Sequence, residues 1–223
     1  MSEPGELPLP WVGRHPSGML LCVQLIGIVA FPFLQDSRVG SAALGVISMT
    51  AVGLALWLVR STPALTVLAV ALGIPAVTMT VLEAVMPGQE WVTLASAVLH
   101  APFYAYVSYS TIRYLFHDNK VTTDELYAIG AAFTVVAWAF AYVYLAVAIL
   151  VPGSFQPLGD GPARFFDLLF FSFTNLTSVG LSDILPVDDH ARSVTMLEQI
   201  AGVLYVAMVV SRMVTLTVPI RRP

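Results

Sequence analysis

The chain has 223 residues, of which 57% are hydrophobic and 11% charged, where a soluble globular domain carries roughly 25% charged residues. With a mean hydropathy of +0.82, there is too little polar surface to cover a water-facing core, which excludes an ordinary soluble enzyme or binding domain. The net charge of -4 comes with no basic tract and no interleaving of basic and aromatic residues, so nucleic acid is not an expected partner.

From the N-terminus, Met1–Pro10 carries Glu3 and Glu6 rather than a basic cluster, and no small-residue cleavage site follows the first apolar run. A retained cytoplasmic segment, residues 1–17, is therefore expected instead of a cleaved signal peptide. A bilayer core of ~30 Å asks for ~20 mostly apolar residues per spanning helix. That ruler gives six spans: Gly18–Leu34, Val39–Val59, Pro63–Val85, Trp91–Phe116, Tyr127–Val151 and Val194–Leu216. Pro32, Pro75 and Pro102 fall within the first, third and fourth, where membrane helices tolerate proline as a kink. The lone cysteine, Cys22, lies in the first apolar run and reads as a small buried hydrophobe.

Lys and Arg set the orientation. With the N-terminus inside, Arg14, Arg60, Arg113, Lys120, Arg212, Arg221 and Arg222 are cytoplasmic, and only Arg38, Arg164 and Arg192 lie outside. Both termini are expected in the cytoplasm of a multi-pass plasma-membrane protein. Acids collect on the outer side: Asp36, Glu83, Glu90, Asp160, Asp183, Asp188 and Asp189.

Within the spans, the fourth offers only Arg113, near its cytoplasmic end, which reads as a topological anchor and not as a voltage sensor with repeated arginines. His100 reads as a neutral histidine bonded to a neighbouring helix. Glu83 is near enough to the outer end of its span to snorkel. Tyr104, Tyr106 and Tyr109 read as packing or interfacial aromatics.

The stretch between the fifth and sixth spans differs in kind. Pro152–Pro162 is rich in Gly and Pro and reads as a surface loop, and Asp160-Gly161-Pro162 supplies a helix start. Arg164–Asn175 is apolar and aromatic but about a dozen residues long, too short to span, so a re-entrant half-helix is expected. The polar, glycine-containing Leu176–Pro186 then returns outward. Non-helical backbone at membrane depth needs protein or water around it. A loop reading Thr177-Ser178-Val179-Gly180-Leu181-Ser182-Asp183 suits cation coordination, because backbone carbonyls from several copies can replace a hydration shell. Glycine allows the left-handed angles this needs, and the short helix turns its negative end towards the cation.

The segment FSFTNLTSVGLSDILP, followed by ARSVTMLEQIAGVLYVAMVVSRMV, resembles the pore module of bacterial two-transmembrane-type potassium channels, whose filter reads Thr-Val-Gly-Tyr-Gly-Asp. VTTDELYAIG and the PGSF at Pro152–Phe155 are similar to that family as well. The resemblance covers about Val121–Leu216 and not the first four spans. It implies K+ at Ser178, Val179, Gly180 and Leu181, with Ser178 in place of the inner threonine and Val179, Gly180 and Asp183 matching. Asn175 stands at the pore-helix end, and Gly202 where many members carry a hinge glycine. Leu181 replaces the bracing tyrosine and Ser182 the second glycine, and these departures bear on selectivity.

The expected fold is an all-α membrane protein with six transmembrane helices, a re-entrant pore helix and a filter loop per subunit, four subunits making one pore. Its domains are residues 1–17, a helical domain at 18–120 without voltage-sensor arginines, and a pore domain at 121–223. The expected function is a passive cation channel conducting potassium. The alternatives are a weakly selective cation channel and a non-conducting sensor or partner subunit. Partners are monovalent cations, the lipid bilayer and other copies of the chain. No cofactor, enzyme activity or regulatory domain beyond the last span is expected. Val206, Val210 and Met213 share a helical face with Gly202 and would line an inner cavity or pack on lipid or helices. Glu198 is expected to pair behind the filter with Arg192 or Arg164. Asp160, Asp183, Asp188 and Asp189 would form an acidic ring at the outer mouth.

Overall fold

The computed structural model describes residues 15–34, 38–60, 66–116, 122–157 and 164–217. The expectations at Arg14, Asp36, Lys120, Arg221 and Arg222, and for the helix start at Asp160-Gly161-Pro162, lie outside them. Six long helices appear where the apolar runs fall: α1 Pro16–Leu34, α2 Arg38–Arg60, α3 Thr66–Val85, α4 Glu90–Leu115, α5 Thr123–Leu150 and α7 Asp189–Thr217. The short α6, Phe165–Leu176, lies between the last two. Among the described residues, α1, α3, α5 and Asp189–Val214 of α7 are long and apolar enough to cross a membrane.

One departure from an all-helical fold is a two-residue pairing between β1 (Phe155–Gln156) and β2 (Leu185–Pro186). It is antiparallel, with Phe155 opposite Pro186. Val187 adds an N–H to the Ser154 carbonyl at 2.9 Å. The buried Phe155 ring packs edge-on against Tyr144 and Phe171. This tie fastens the α5–α6 connection to the segment between α6 and α7.

Helix α5 organises the rest. It packs against α1, α4, α6 and α7, and the chain of neighbours α1–α2–α3–α4 closes on it from both sides. Its buried face is rich in alanine, with Ala128, Ala131, Ala132, Ala137, Ala139 and Ala141, and small side chains let membrane helices approach closely. Its start is a capping interaction: the Thr122 side chain accepts from the Glu125 N–H at 3.2 Å, and Asp124 and Glu125 sit in the first turn, where a helix favours negative charge. Asp124 also accepts from the Ser17 N–H at 3.1 Å and the Ser17 hydroxyl at 2.9 Å, which joins the start of α1 to the start of α5.

His100 is buried on α4 and meets α3, as its place in an apolar span predicts. Its Nδ1 lies 2.9 Å from the Ser96 carbonyl, which only accepts, so Nδ1 carries the proton in the neutral ring. Nε2 then accepts from the Thr80 hydroxyl, 3.1 Å away. Its ring stacks on Tyr142 of α5 at 4.6 Å. Glu83, expected to snorkel, bonds to the Ser96 side chain. Tyr104 is a packing residue between His100, Phe103, Trp138 and Tyr142. Cys22 corrects the sequence reading: it is exposed on the outward face of α1, because α1 buries only Ser17, Gly18, Leu20 and Gln24.

Candidate functional site

Helix α6 carries FFDLLFFSFTNL. Its buried positions Leu168, Leu169, Phe171, Ser172, Asn175 and Leu176 recur at helical spacing and turn the helix onto α5 and α7. Asp167 lies in the first turn and pairs with Arg164 at 2.8 Å. A helix of twelve residues is about 18 Å long, short of a bilayer core.

The turn is built from the end of α6. The last carbonyls of a helix have no partner within it. Here the chain that follows supplies them. Thr177 N–H donates to the Phe173 carbonyl at 3.1 Å and Ser178 N–H to Asn175 at 2.9 Å. Val179 and Gly180 N–H both donate to the Thr174 carbonyl, at 3.0 and 2.9 Å. The Thr177 hydroxyl adds a bond to the Phe173 carbonyl at 2.7 Å.

Backbone angles show how four successive N–H groups can turn the same way. Ser178 has φ 59° and Gly180 has φ 68°, and Ser178 is the one non-glycine with positive φ among the described residues. Alternating right- and left-handed residues rotate successive peptides onto a common side. With the N–H groups directed at α6, the carbonyls of this stretch are left for the opposite side. Residues 177–181 are exposed there, Val179 at 58% and Leu181 at 76%. A left-handed serine costs roughly 1–2 kcal/mol, which the bond from its N–H to Asn175 helps to offset.

The alternation stops after Gly180. Ser182 does not take the left-handed angle; its hydroxyl instead accepts from the Ile184 N–H at 3.0 Å. Leu181 has no group that could bond to α6. Asp183 is exposed just beyond.

Two neighbouring residues of α7 hold the C-terminal end of α6. The Gln199 amide donates to Asn175 Oδ1 at 3.2 Å, while Asn175 Nδ2 donates to the Phe171 carbonyl at 2.8 Å. Glu198 is fully buried behind α6. The sequence reading paired it with Arg192 or Arg164, but its partners are Tyr144 and Ser172. Those arginines are drawn off by acids on their own helices, Arg192 by Asp189 at 3.6 Å and Arg164 by Asp167. Gly202 lies where α7 crosses the end of α6. A Cβ there would overlap the Leu176 carbonyl, and α7 runs through this position without a break.

The remaining expected residues fall into two groups. Asp188 caps α7 by accepting from the His190 N–H at 2.8 Å, and Asp189 is engaged with Arg192, so both have local roles. Asp160 lies outside the described residues. Val206 and Val210 are exposed, and Met213 is half-buried. Residues that carry the site without being marked in the sequence are Thr174, Gln199, Ser172 and Tyr144. Ala191, Thr195, Glu198, Gly202 and Tyr205, all buried, recur every three or four residues and define the seam that faces α5 and α6; Gln199 is exposed beside this seam and carries no such signal. Among the described residues, no three His, Cys, Asp or Glu side chains converge as metal ligands; the oxygens at the turn are carbonyls and the hydroxyls of Thr177 and Ser178.

No curated protein and no solved structure matches the chain. Residues 129–218, from the first third of α5 to the end of α7, match the family model described as ion channel.

Proposed function

We propose that four copies of the chain surround one axis and form a passive cation channel, with potassium the ion conducted through a filter at Thr177–Asp183. The observation that carries this reading is the turn at α6: the N–H groups of Ser178, Val179 and Gly180 all point back at helix carbonyls, and left-handed angles alternate at 178 and 180. One such loop offers a quarter of a carbonyl ring, and four offer the oxygen cage that replaces a cation's water. The negative end of α6 and the exposed Asp183 favour positive charge at that place.

The faces of a single chain support the assembly. Outside its buried seam, α7 exposes Leu197, Ile200, Leu204, Val206 and Val210, an apolar stripe that needs lipid or other copies to cover it. With α2 and α4, of 23 and 26 residues, added to the four apolar spans, each subunit crosses six times. The turn between α3 and α4 and the mouth of the filter then share the outer side, with both termini cytoplasmic in the plasma membrane.

A weakly selective channel is the second reading, and the outer half of the filter favours it. The left-handed alternation ends at Gly180, and Ser182 spends its hydroxyl on Ile184, so the carbonyl ladder is regular only around Thr177–Gly180. Bi-ionic reversal potentials of the purified protein in a planar bilayer separate the two. Potassium selectivity gives a reversal near the potassium equilibrium potential, and weak selectivity gives one near zero with sodium against potassium. Assembled tetramers that pass no cation current under any stimulus would make the chain a sensor or partner subunit instead.

A further inference from the structure

Glu198 sits on α7 in the membrane's interior with no exposure to solvent. Its Oε1 faces the Ser172 hydroxyl of α6, and its Oε2 faces the Tyr144 hydroxyl of α5. Ser172 Oγ lies also 2.8 Å from the Ala137 carbonyl of α5. Both hydroxyl-bearing residues are themselves buried. Three oxygen–oxygen contacts therefore meet at this point, and if each is a two-centre hydrogen bond they need three protons.

A count of hydrogens decides the state of the group. Tyr144 brings one proton and Ser172 one, and the Ala137 carbonyl can only accept. An ionised carboxylate would add none and leave one contact without a hydrogen. A carboxylic acid adds the third. The acid's O–H at Oε1 then donates to Ser172, Ser172 donates to the Ala137 carbonyl, and Tyr144 donates to Oε2. No Lys, Arg or His side chain bonds to Glu198 among the described residues, and a lone charge in an apolar interior is neutralised in preference to being buried.

We propose that Glu198 is held as a neutral carboxylic acid that donates to Ser172, and that this bond positions the filter-bearing end of α6. Ser172 is one helical turn before Asn175 and two residues before Thr174, whose carbonyl receives the Val179 and Gly180 N–H groups. Gln199, the next residue of α7, bonds to Asn175. The two side chains thus clamp one turn of α6 from the inner helix, and the filter hangs from that turn. Glu198 touches no permeant ion in this scheme; it acts through α6. In its effect on selectivity the inference rests on the cation-channel reading, but its chemical part does not.

The test has two arms. Difference infrared spectra of the full-length protein in lipid, wild type minus Glu198→Gln, should show the carbonyl stretch of a protonated carboxyl group, lost in the variant. Carboxylate bands in its place would overturn the proposal. In the second arm, Glu198→Gln keeps a donor for Ser172 and an acceptor for Tyr144, while Glu198→Leu leaves both buried hydroxyls short of a partner. The glutamine variant should keep the wild-type reversal potential and melting temperature. The leucine variant should lose selectivity and melt lower. Glutamine behaving like leucine would mean that the negative charge matters, and the proposal fails. If the wild type carries no current, the channel reading fails while the infrared band and the melting temperatures still decide the state of Glu198.

Discussion

Placing a methyl group at Gly202 is expected to cost the pore unit its folded arrangement, and placing an isopropyl group there to abolish it. The Cβ would overlap the Leu176 carbonyl and crowd the backbone at the end of α6. A flexible side chain could swing aside, but this contact is with main chain, which also holds the Thr177 turn. Overpacking a core costs about 1–3 kcal/mol, and in the proposed fourfold assembly the cost recurs in every subunit, reaching roughly 4–12 kcal/mol. Gly202→Ala should therefore lower the melting temperature of the purified protein sharply, and Gly202→Val should leave no tetramer by size-exclusion chromatography. This separates packing from a hinge role for the same residue. A hinge glycine replaced by alanine would leave assembly and melting intact and alter only how often the pore opens. Wild-type melting in Gly202→Ala would show that α6 and α7 do not meet as described.

The long helices were legible because apolar length is a strong signal, and among the described residues four of them are long and apolar enough to cross a membrane. The ends were less so. Helix α5 begins at Thr123 rather than Tyr127 and α7 at Asp189 rather than Val194. In both cases the polar first turn falls below a hydropathy ruler while capping extends the helix, by Thr122 at α5 and Asp188 at α7. The turn after α6 was legible too, since glycine and hydroxyl residues after a short apolar helix break it. That Ser178 rather than Ser182 takes the left-handed angle was not, because it depends on how the end of α6 spends its carbonyls. Partner choice was the weakest point. Reading charges by side of the membrane assigned Glu198 to an arginine and Arg212 to the cytoplasmic anchors. Neither reading could see that Tyr144, 54 residues from Glu198, or Glu125, 87 residues from Arg212, would be brought beside them.

Removing either member of the Glu125–Arg212 pair is expected to destabilise the fold by about 3–5 kcal/mol, because the partner is left as an uncompensated buried charge. The two side chains are 3% and 8% exposed, with Arg212 Nη2 3.4 Å from Glu125 Oε2. The guanidinium also lies over the Phe116 ring at 5.4 Å. The pair is not an ideal one. It has a single long contact, and Arg212 Nε is buried with no hydrogen-bond partner. Its attraction therefore falls short of repaying the desolvation of both charges, and replacing both together should be far milder than replacing either. In a double-mutant cycle read by denaturant or thermal unfolding, Glu125→Gln and Arg212→Met should each be strongly destabilising. The double variant should recover most of the loss, so the coupling should exceed about 3 kcal/mol, the smaller of the single-variant losses. Additive effects within about 0.5 kcal/mol would mean that water reaches the pair. Where the pair sits gives it consequence. It binds the inner end of α7 to the first turn of α5, and the adjacent Asp124 binds that same turn to Ser17 at the start of α1. Any displacement of the inner end of α7 must break this contact or carry the start of α5, and with it α1, along. The single variants thus test whether this contact couples the end of α7 to the start of α5 and, through Asp124, to α1.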